Sequence, residues 1–390
     1  HEPYRRQRQM CIRDRNMELF DWLKTLYEIW KNLDEDVIRL SSLTGMGELM
    51  KHGCTTCFDH HYVFPSHSGD LLGAQRSAAR ELGIRLYMSR GSMDLSVKDG
   101  GLPPDSVVQT VDEIMADSVR CIEKYHDDSY GAMCRVALAP CSPFSVSAEL
   151  LRQSAILARQ YHVRLHTHLC ETKDEENFML AREGVRPLEY MERLGWTGDD
   201  VWFAHGIHFN DQELRLLAQT GTGIAHCPVS NMKLASGVCR VPDMLALGVP
   251  VGLAVDGSAS NDCSNLLAEI RAAYLLHRLT YSAKAPTGYD LLKMATMGSA
   301  RLLGRQDEIG SLEVGKAADL FLLDVDLLEL AGAKLDPACM LGTVGYARPA
   351  ELVMVNGRVV VEHGRVLGMD EEQTRVRAQQ LVDGMLQKAE

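Results

Sequence analysis

The sequence predicts an α/β protein, a TIM-type (β/α)8 barrel that lacks its first strand, followed by a small C-terminal β-sandwich remnant. Seven short apolar runs alternate with amphipathic helices, which is typical of parallel strands covered by helices. No G-x-G-x-x-G fingerprint follows an early strand, which weakens the case for an open dinucleotide-binding sheet. Polar residues recur where the apolar runs end, and a βα barrel carries its catalytic groups at those ends. The barrel is therefore favoured over an open doubly wound sheet.

The chain begins with two helices and then alternates strand with helix. Apolar residues at helical spacing predict the first helix, and the second ends at Gly53. The predicted strands cover residues 55–60, 84–89, 135–139, 163–169, 201–205, 223–227 and 251–255. One later helix has recognisable ends, since Asn210 and Glu213 form a capping-box pattern and Gly221 follows the last turn. Because a closed barrel needs eight strands, we expect a truncated chain whose missing unit precedes the opening helices.

Three segments are expected along the chain. Residues 1–15 contain five arginines and no apolar periodicity, and we interpret them as a non-native or artefactual extension. Residues 16–305 are expected to form the (β/α) barrel domain. Residues 306–390 form part of a β-sandwich and a C-terminal helix, with Asn356-Gly357 as a hairpin turn signal.

Composition excludes several classes of protein. The 53 acidic and 41 basic residues give a net charge of -12, which repels nucleic acid. No apolar run approaches the roughly 18 residues of a membrane span. The 11 cysteines, among them Cys227, are scattered through apolar stretches, as expected of reduced, buried thiols in a cytoplasmic protein.

Potential metal ligands and acid-base groups end successive predicted strands. They are Asp59, His60, His61, His168, Glu171, His205, His226 and Asp256. Because strand ends of one parallel sheet share an edge, these groups can converge. A lone histidine at a strand end is more often an ordinary hydrogen-bonded residue. Four strand ends that carry His168, His205, His226 and Asp256 together argue for a site.

Neutral imidazole and carboxylate suit zinc or iron when one position stays open for water. His168 and Asp256 are the first choices as ligands and His205 the third, whereas His166 lies one layer deeper by strand alternation. Glu171 is placed to shuttle a proton, although it could instead stabilise the start of the next helix. His205 or Asp256 could also polarise the nucleophile or hold the substrate.

The other histidines are expected to have structural positions and no role in the site. We expect His60 and His61 to pack or hydrogen bond near the rim, because adjacent strand residues face opposite sides. His52 and His277 are interpreted as surface or helix histidines.

The motifs LHTHLCET, FAHGIH, IAHCPVSNMKL, AVDGSASND and IGSLEVGKAADLFLLD resemble the amidohydrolase superfamily, in its cytosine-deaminase and chlorohydrolase-like branch. This resemblance implies that residues 16–305 are a metal-dependent hydrolase domain. It implies one divalent metal ion, zinc as first choice and iron as second. It implies His168 and Asp256 as ligands, Glu171 as proton shuttle, and His205 as a second ligand or catalytic imidazole. Asp256 is expected to be a catalytic residue as well as a metal ligand.

Within that branch, GCTTCFDHHYVFP, RGSMDLSVKDGGLPPDS and ALAPCSPFSVS resemble the members that deaminate 8-oxoguanine. The resemblance therefore implies hydrolysis of an amino-purine, 8-oxoguanine to urate and ammonia. The residues expected to line the substrate pocket are Arg90, Cys141, Ser142, Phe144 and His226.

The alternatives are a deaminase or amidohydrolase for guanine, adenosine-like, cytosine or hydroxy-triazine substrates, or a metal-poor inactive fragment. The inactive fragment is an alternative because the family carries an H-x-H pair of metal ligands on its first barrel strand, and this pair is not found here. The expected partner is a small purine-like molecule, with neither nucleic acid nor membrane, and a homo-oligomer is left open.

Overall fold

The computed structural model describes residues 16–66 and 68–389. The interpretation of residues 1–15 as an extension therefore lies outside the described residues. The chain divides into two compact units, and the first comprises His1–Met46, Thr56–Trp196 and Met369–Glu390. The second unit comprises Gly47–Thr55 and Thr197–Gly368. The division after Trp196 falls inside the segment that the sequence assigns to the barrel.

Four parallel strands form the centre of the first unit. They are β1 (Thr56–Asp59), β2 (Arg85–Ser92), β3 (Cys134–Pro140) and β4 (Arg164–Leu169). Each strand pairs with the next in chain order, and Thr56 lies opposite Arg85 while Leu86 lies opposite Cys134. Every residue of β2 is buried, as expected for a parallel strand with both faces covered.

Helices follow and flank these strands. They are α1 (Leu19–Trp30), α2 (Glu35–Lys51), α3 (Leu71–Leu82), α4 (Val111–Tyr125), α5 (Ala148–Gln160), α6 (Lys173–Glu183) and α7 (Pro187–Arg193). The first backbone N–H groups of a helix have no partner within the helix. In several of these helices the side chain of the N-cap residue accepts one of them. Thr110 and Glu113 form a complete capping box at α4. Helix α3 ends at Gly83, whose φ of 78° only glycine adopts readily.

The other three predicted strands belong to the second unit. They are β5 (Val201–His205), β6 (Gly223–His226) and β7 (Val251–Leu253), again parallel and paired in chain order. All seven strand predictions are thus confirmed. The helices of this unit are α8 (Asp211–Thr220), α9 (Pro228–Lys233), α10 (Val241–Leu247), α11 (Ser258–Asn261), α12 (Leu266–Tyr281), α13 (Gly288–Lys293), α14 (Ser299–Leu302) and α15 (Met340–Thr343). The capping box predicted at Asn210 is present, and Gly221 ends α8 in the left-handed conformation.

A four-stranded antiparallel sheet completes the second unit. Its strands are β8 (Leu320–Leu322), β9 (Leu352–Val355), β10 (Arg358–Glu362) and β11 (Arg365–Val366), in the order β11-β10-β9-β8. The predicted hairpin is confirmed, since Asn356 and Gly357 both have positive φ between β9 and β10. The final helix, α16 (Glu371–Lys388), returns to the first unit.

Within residues 16–66 and 68–389, every helix is too short or too polar to cross a bilayer. The ten cysteines of these residues are all free thiols. Eight of them are buried, in keeping with the small, apolar character of an unreactive thiol.

Asp70 gives the first unit a pH-dependent contribution to stability. Burial alone would raise the pKa of this carboxyl, but hydrogen bonds from Tyr125 and Lys124 and from the backbone of Gly73 lower the pKa to about 2 from its ordinary 3.8. The charged form is therefore stabilised by folding, and this stabilisation is present above pH 3.8 and lost as the pH falls through about 2.

We expect Asp70→Asn to lower the free energy of unfolding at pH 7 by about 0.5–1 kcal/mol. Asp70 is the N-cap residue of α3, and asparagine keeps this cap but loses the charge. The difference from the unmodified protein should shrink as the pH falls from about 4 to about 2. Urea unfolding across this range measures it, with Asp128→Asn on an exposed loop as the control. An equal loss at pH 7 and at pH 2 would contradict the assignment.

Candidate active site

Three strand ends carry backbone conformations that are rare for residues other than glycine. Cys170 after β4 has φ 54°, His205 at the end of β5 has φ 72°, and Asp256 after β7 has φ 65°. Such a left-handed residue costs on the order of 1–3 kcal/mol, and these conformations cluster at functional sites. Two of the three are predicted site residues, and Cys170 directly precedes a third, Glu171.

His205 is oriented by one hydrogen bond. Its Nδ1 donates to Oδ1 of Asn231 on α9 over 2.9 Å, which leaves the lone pair on Nε2. That Nε2 lies 3.9 Å from Oδ2 of Asp256. Burial lowers the pKa of His205, and the opposing influence of Asp256 and Asn231 does not overcome it. The ring is therefore neutral near pH 7, the form that binds a metal.

The Asp256 carboxylate is fixed from two directions. Oδ2 accepts a hydrogen bond from Oγ of Ser230 at 2.6 Å, and Oδ1 accepts one from the N–H of Gly257 at 2.6 Å. Ser230 and Asn231 are neighbours on α9, so one short helix orients both His205 and Asp256. Partners of this kind align metal ligands and tune their basicity.

Cys227 adds a third donor to this pair. One ligand atom each from His205, Cys227 and Asp256 lies within 4.8 Å of the other two. Imidazole nitrogen, carboxylate oxygen and sulfur are donors that zinc and iron accept, so the residues present fit a divalent cation of that type. From the sequence, Cys227 is expected to be only a buried thiol, although its position directly after the strand-end His226 is a signal for a place near the site.

A second imidazole lies against His226. The Nε2 atoms of His226 and His277 are 3.2 Å apart, and the Nδ1 atom of each has no hydrogen-bond partner among the described residues. Burial lowers the pKa of both rings, that of His277 to about 4, so both are neutral near pH 7. His277 does lie on helix α12, but it is fully buried, so the surface interpretation is wrong for this residue.

His168 in the first unit is held in a similar way to His205. Its Nδ1 donates to the backbone carbonyl of Cys141 over 2.7 Å, so its Nε2 carries the lone pair. The ring of His60 stacks on it with centroids 4.5 Å apart, and Nε2 of His60 donates to the carbonyl of Ala139. His166 is more buried than His168, in agreement with its predicted deeper position.

Glu171 follows three residues after His168 and is 3% exposed. Its backbone N–H donates to Oε2 of Glu175 over 2.9 Å. Glu175 was not singled out from the sequence, where it is one of several acidic residues at the start of α6.

The residues predicted to line the substrate pocket are all buried. Arg90 stacks on Phe64, and its guanidinium donates to Asp117 over 2.6 Å and to Gln109 over 2.8 Å. Oγ of Ser142 lies 2.8 Å from Oγ of Ser145. Contact with substrate stays a prediction for these two residues.

The remaining first-unit pocket candidates also contact protein groups. Phe144 packs on Phe20 with ring centroids 4.9 Å apart. Cys141 orients His168 through its carbonyl, and burial raises the pKa of its thiol to about 12. The thiol is therefore protonated near pH 7, and substrate contact remains a prediction here too.

Residues 7–360 match the amidohydrolase family. The chain belongs to the amidohydrolase family. This amidohydrolase is 50% identical over 355 residues to the 8-oxoguanine deaminase of Pseudomonas aeruginosa, covering 91% of the chain and 78% of that relative. It is 42% identical to the hydroxydechloroatrazine ethylaminohydrolase of Pseudomonas sp. strain ADP, covering 91% of the chain and 74% of that relative.

Solved structures also share the fold of this amidohydrolase. The atrazine chlorohydrolase of Arthrobacter aurescens TC1, complexed with zinc, superimposes with a TM-score of 0.86 at 35% identity, covering 90% of the chain and 77% of that protein. The match confirms the predicted α/β class and its kinship with the TIM-type barrels.

We expect His205→Asn to weaken zinc binding by about 100-fold or more, because it removes a neutral imidazole donor from the cluster. Competition with a chromophoric chelator measures the affinity. His208→Asn is the matched control, since His208 bonds to the carbonyl of Ser236 and lies outside the donor cluster. Equal affinities for the two variants would remove His205 from the ligand set.

Proposed function

We propose that the chain is a metal-dependent hydrolytic deaminase that converts 8-oxoguanine to urate and ammonia in the cytoplasm. The observation that carries this proposal is the 50% identity to an 8-oxoguanine deaminase over 91% of the chain. The oriented pair of His205 and Asp256 supports it, because hydrolysis of a ring amine requires an activated water molecule.

His168, His205 and Asp256 are the proposed ligands of one divalent metal ion, zinc by preference. The Nδ1 atoms of His168 and His205 are engaged by the protein, which leaves their Nε2 atoms for the ion, and the Asp256 carboxylate is oriented by Ser230 and Gly257. When bound, such a cation supplies a water nucleophile at neutral pH.

Glu171 moves the protons in the proposed reaction. The water oxygen forms a bond to the amine-bearing ring carbon, and the carbon–nitrogen bond then breaks. The Glu171 carboxylate accepts a proton from the water and returns it to the departing nitrogen, so that 8-oxoguanine and water give urate and ammonia. Its burial excludes bulk water from this transfer.

Specificity for the purine is assigned to Arg90, Cys141, Ser142, Phe144 and His226. Buried polar groups discriminate strongly among ring substrates, because a substrate that lacks the matching hydrogen-bonding group leaves them unpaired. His226 contributes a ring whose Nδ1 has no protein partner among residues 16–66 and 68–389 and can therefore bond to a ligand.

A second candidate function is hydrolysis of an amino-substituted triazine. It is favoured by the 42% identity to hydroxydechloroatrazine ethylaminohydrolase. The chemistry at the ring carbon is the same, so only the ratio of kcat/KM values for a panel of purines, cytosine and hydroxy-triazines separates the two functions.

We expect the zinc-loaded protein to form urate from 8-oxoguanine, and Glu171→Gln to lower kcat by about a thousandfold, because the amide cannot relay a proton. Urate absorbance measures the rate. Asp174→Asn, an exposed neighbour on α6, is the control and should retain the unmodified rate. Protein that contains its full complement of metal but forms no urate would defeat the substrate assignment.

A further inference from the structure

We propose that Glu175 is a positioning residue, which holds the turn between β4 and α6 so that the carboxyl of Glu171 is presented to the substrate. This inference rests on the proposed function of Glu171 as proton shuttle. Glu175 would act only through the backbone and would not touch the reacting atoms.

The first support is the pairing of one carboxylate with two consecutive backbone donors. Oε1 of Glu175 accepts the N–H of Cys170 at 2.9 Å, and Oε2 accepts the N–H of Glu171 at 2.9 Å. Strand β4 ends at Leu169, so these N–H groups have left the ladder and need another acceptor. Both oxygens of the carboxylate are used, which fixes the peptide of Glu171 in orientation as well as in distance.

The second support is the conformation of the turn. Cys170 has φ 54°, a left-handed value that turns successive N–H groups toward one side, as in an anion-binding nest. A residue other than glycine holds this conformation only when its surroundings compensate the strain. The two bonds to Glu175 are such a compensation, since they form only when both N–H groups point the same way.

The third support is the cost of the arrangement. Glu175 is 1% exposed, and burial raises the pKa of its carboxyl, whereas the two backbone hydrogen bonds favour the carboxylate and lower the pKa. Its neighbour Glu176 shows the ordinary alternative, because it lies nearer the surface and pairs with Lys173 and Arg186. The carboxyl of Glu175 is therefore buried at a cost that the ion-paired carboxyl of Glu176 does not carry.

Glu175 is itself anchored to the turn that it holds. Its N–H donates to Oγ1 of Thr172, the N-cap residue of α6, over 3.3 Å. The loop from Cys170 to Glu175 is thus closed by hydrogen bonds in both directions. Movement of the Glu171 backbone requires at least one of these bonds to break.

The test is Glu175→Gln in the full zinc-loaded chain. Glutamine keeps one oxygen but turns an NH2 group toward a backbone N–H, so one of the two donors loses its acceptor. We expect kcat to fall by about 100-fold with KM within about twofold, because a displacement of the proton shuttle near 1 Å affects the transition state more than binding. Zinc content should equal that of the unmodified protein.

A second measurement needs no substrate. Backbone amide hydrogen exchange at residues 170 and 171 should become faster in Glu175→Gln, because the acceptor of at least one N–H is lost. Glu176→Gln is the matched control on the same helix, and it should change neither exchange nor kcat.

The outcomes separate the two proposals. If the unmodified protein forms no urate, the proposed function fails, whereas faster exchange in Glu175→Gln still supports the hold on the turn. Unchanged exchange together with unchanged kcat overturns the inference, and so does a fall in zinc content that accounts for the whole loss of rate. If Glu175→Gln does not fold, Glu175→Asp replaces it, because a carboxylate shorter by one methylene reaches only one donor. Unchanged exchange and kcat in that variant overturn the inference equally.

Discussion

Parallel pairing is the constraint on which the rest of this molecule depends. Strands β1 to β4 in the first unit run in one direction, and so do β5 to β7 in the second, so within each unit the chain leaves its strands at the same edge every time. At that edge the ladder stops and backbone N–H groups lose their partners. Carboxylates replace them at two of these ends, Glu175 after β4 and Asp256 after β7. Of the two, Asp256 is also a proposed metal ligand, whereas Glu175 acts through the backbone.

Burial sets the protonation state of three histidines in the second unit, two at strand ends and one on helix α12. His205, His226 and His277 are almost fully enclosed, and desolvation lowers the pKa of each. A protonated ring cannot bind a metal, so burial favours the state that a ligand requires. In His205 and His168 the hydrogen bond made by Nδ1 additionally leaves the lone pair on Nε2. Desolvation thus favours the neutral ring of His205, and one acceptor at Nδ1 leaves its Nε2 for a metal.

The names of the relatives show that one fold occurs with different ring substrates. A protein named for 8-oxoguanine, another named for a triazine amine and a zinc-bound chlorohydrolase share the fold or much of the sequence with this chain. The loops after the strands vary more freely than the strands, because they carry little of the core.

The sequence by itself determined the strands, the helix caps and the strand-end histidines and carboxylates, because hydrophobic period, capping residues and strand alternation are local properties. It did not reveal Cys227 beside His205 and Asp256, His277 against His226, or Glu175 beneath Glu171. Each of these depends on how a helix or loop packs against a strand end. A buried thiol, a helix histidine and an acidic helix start have ordinary explanations in sequence, and only tertiary packing shows which of them meets a partner.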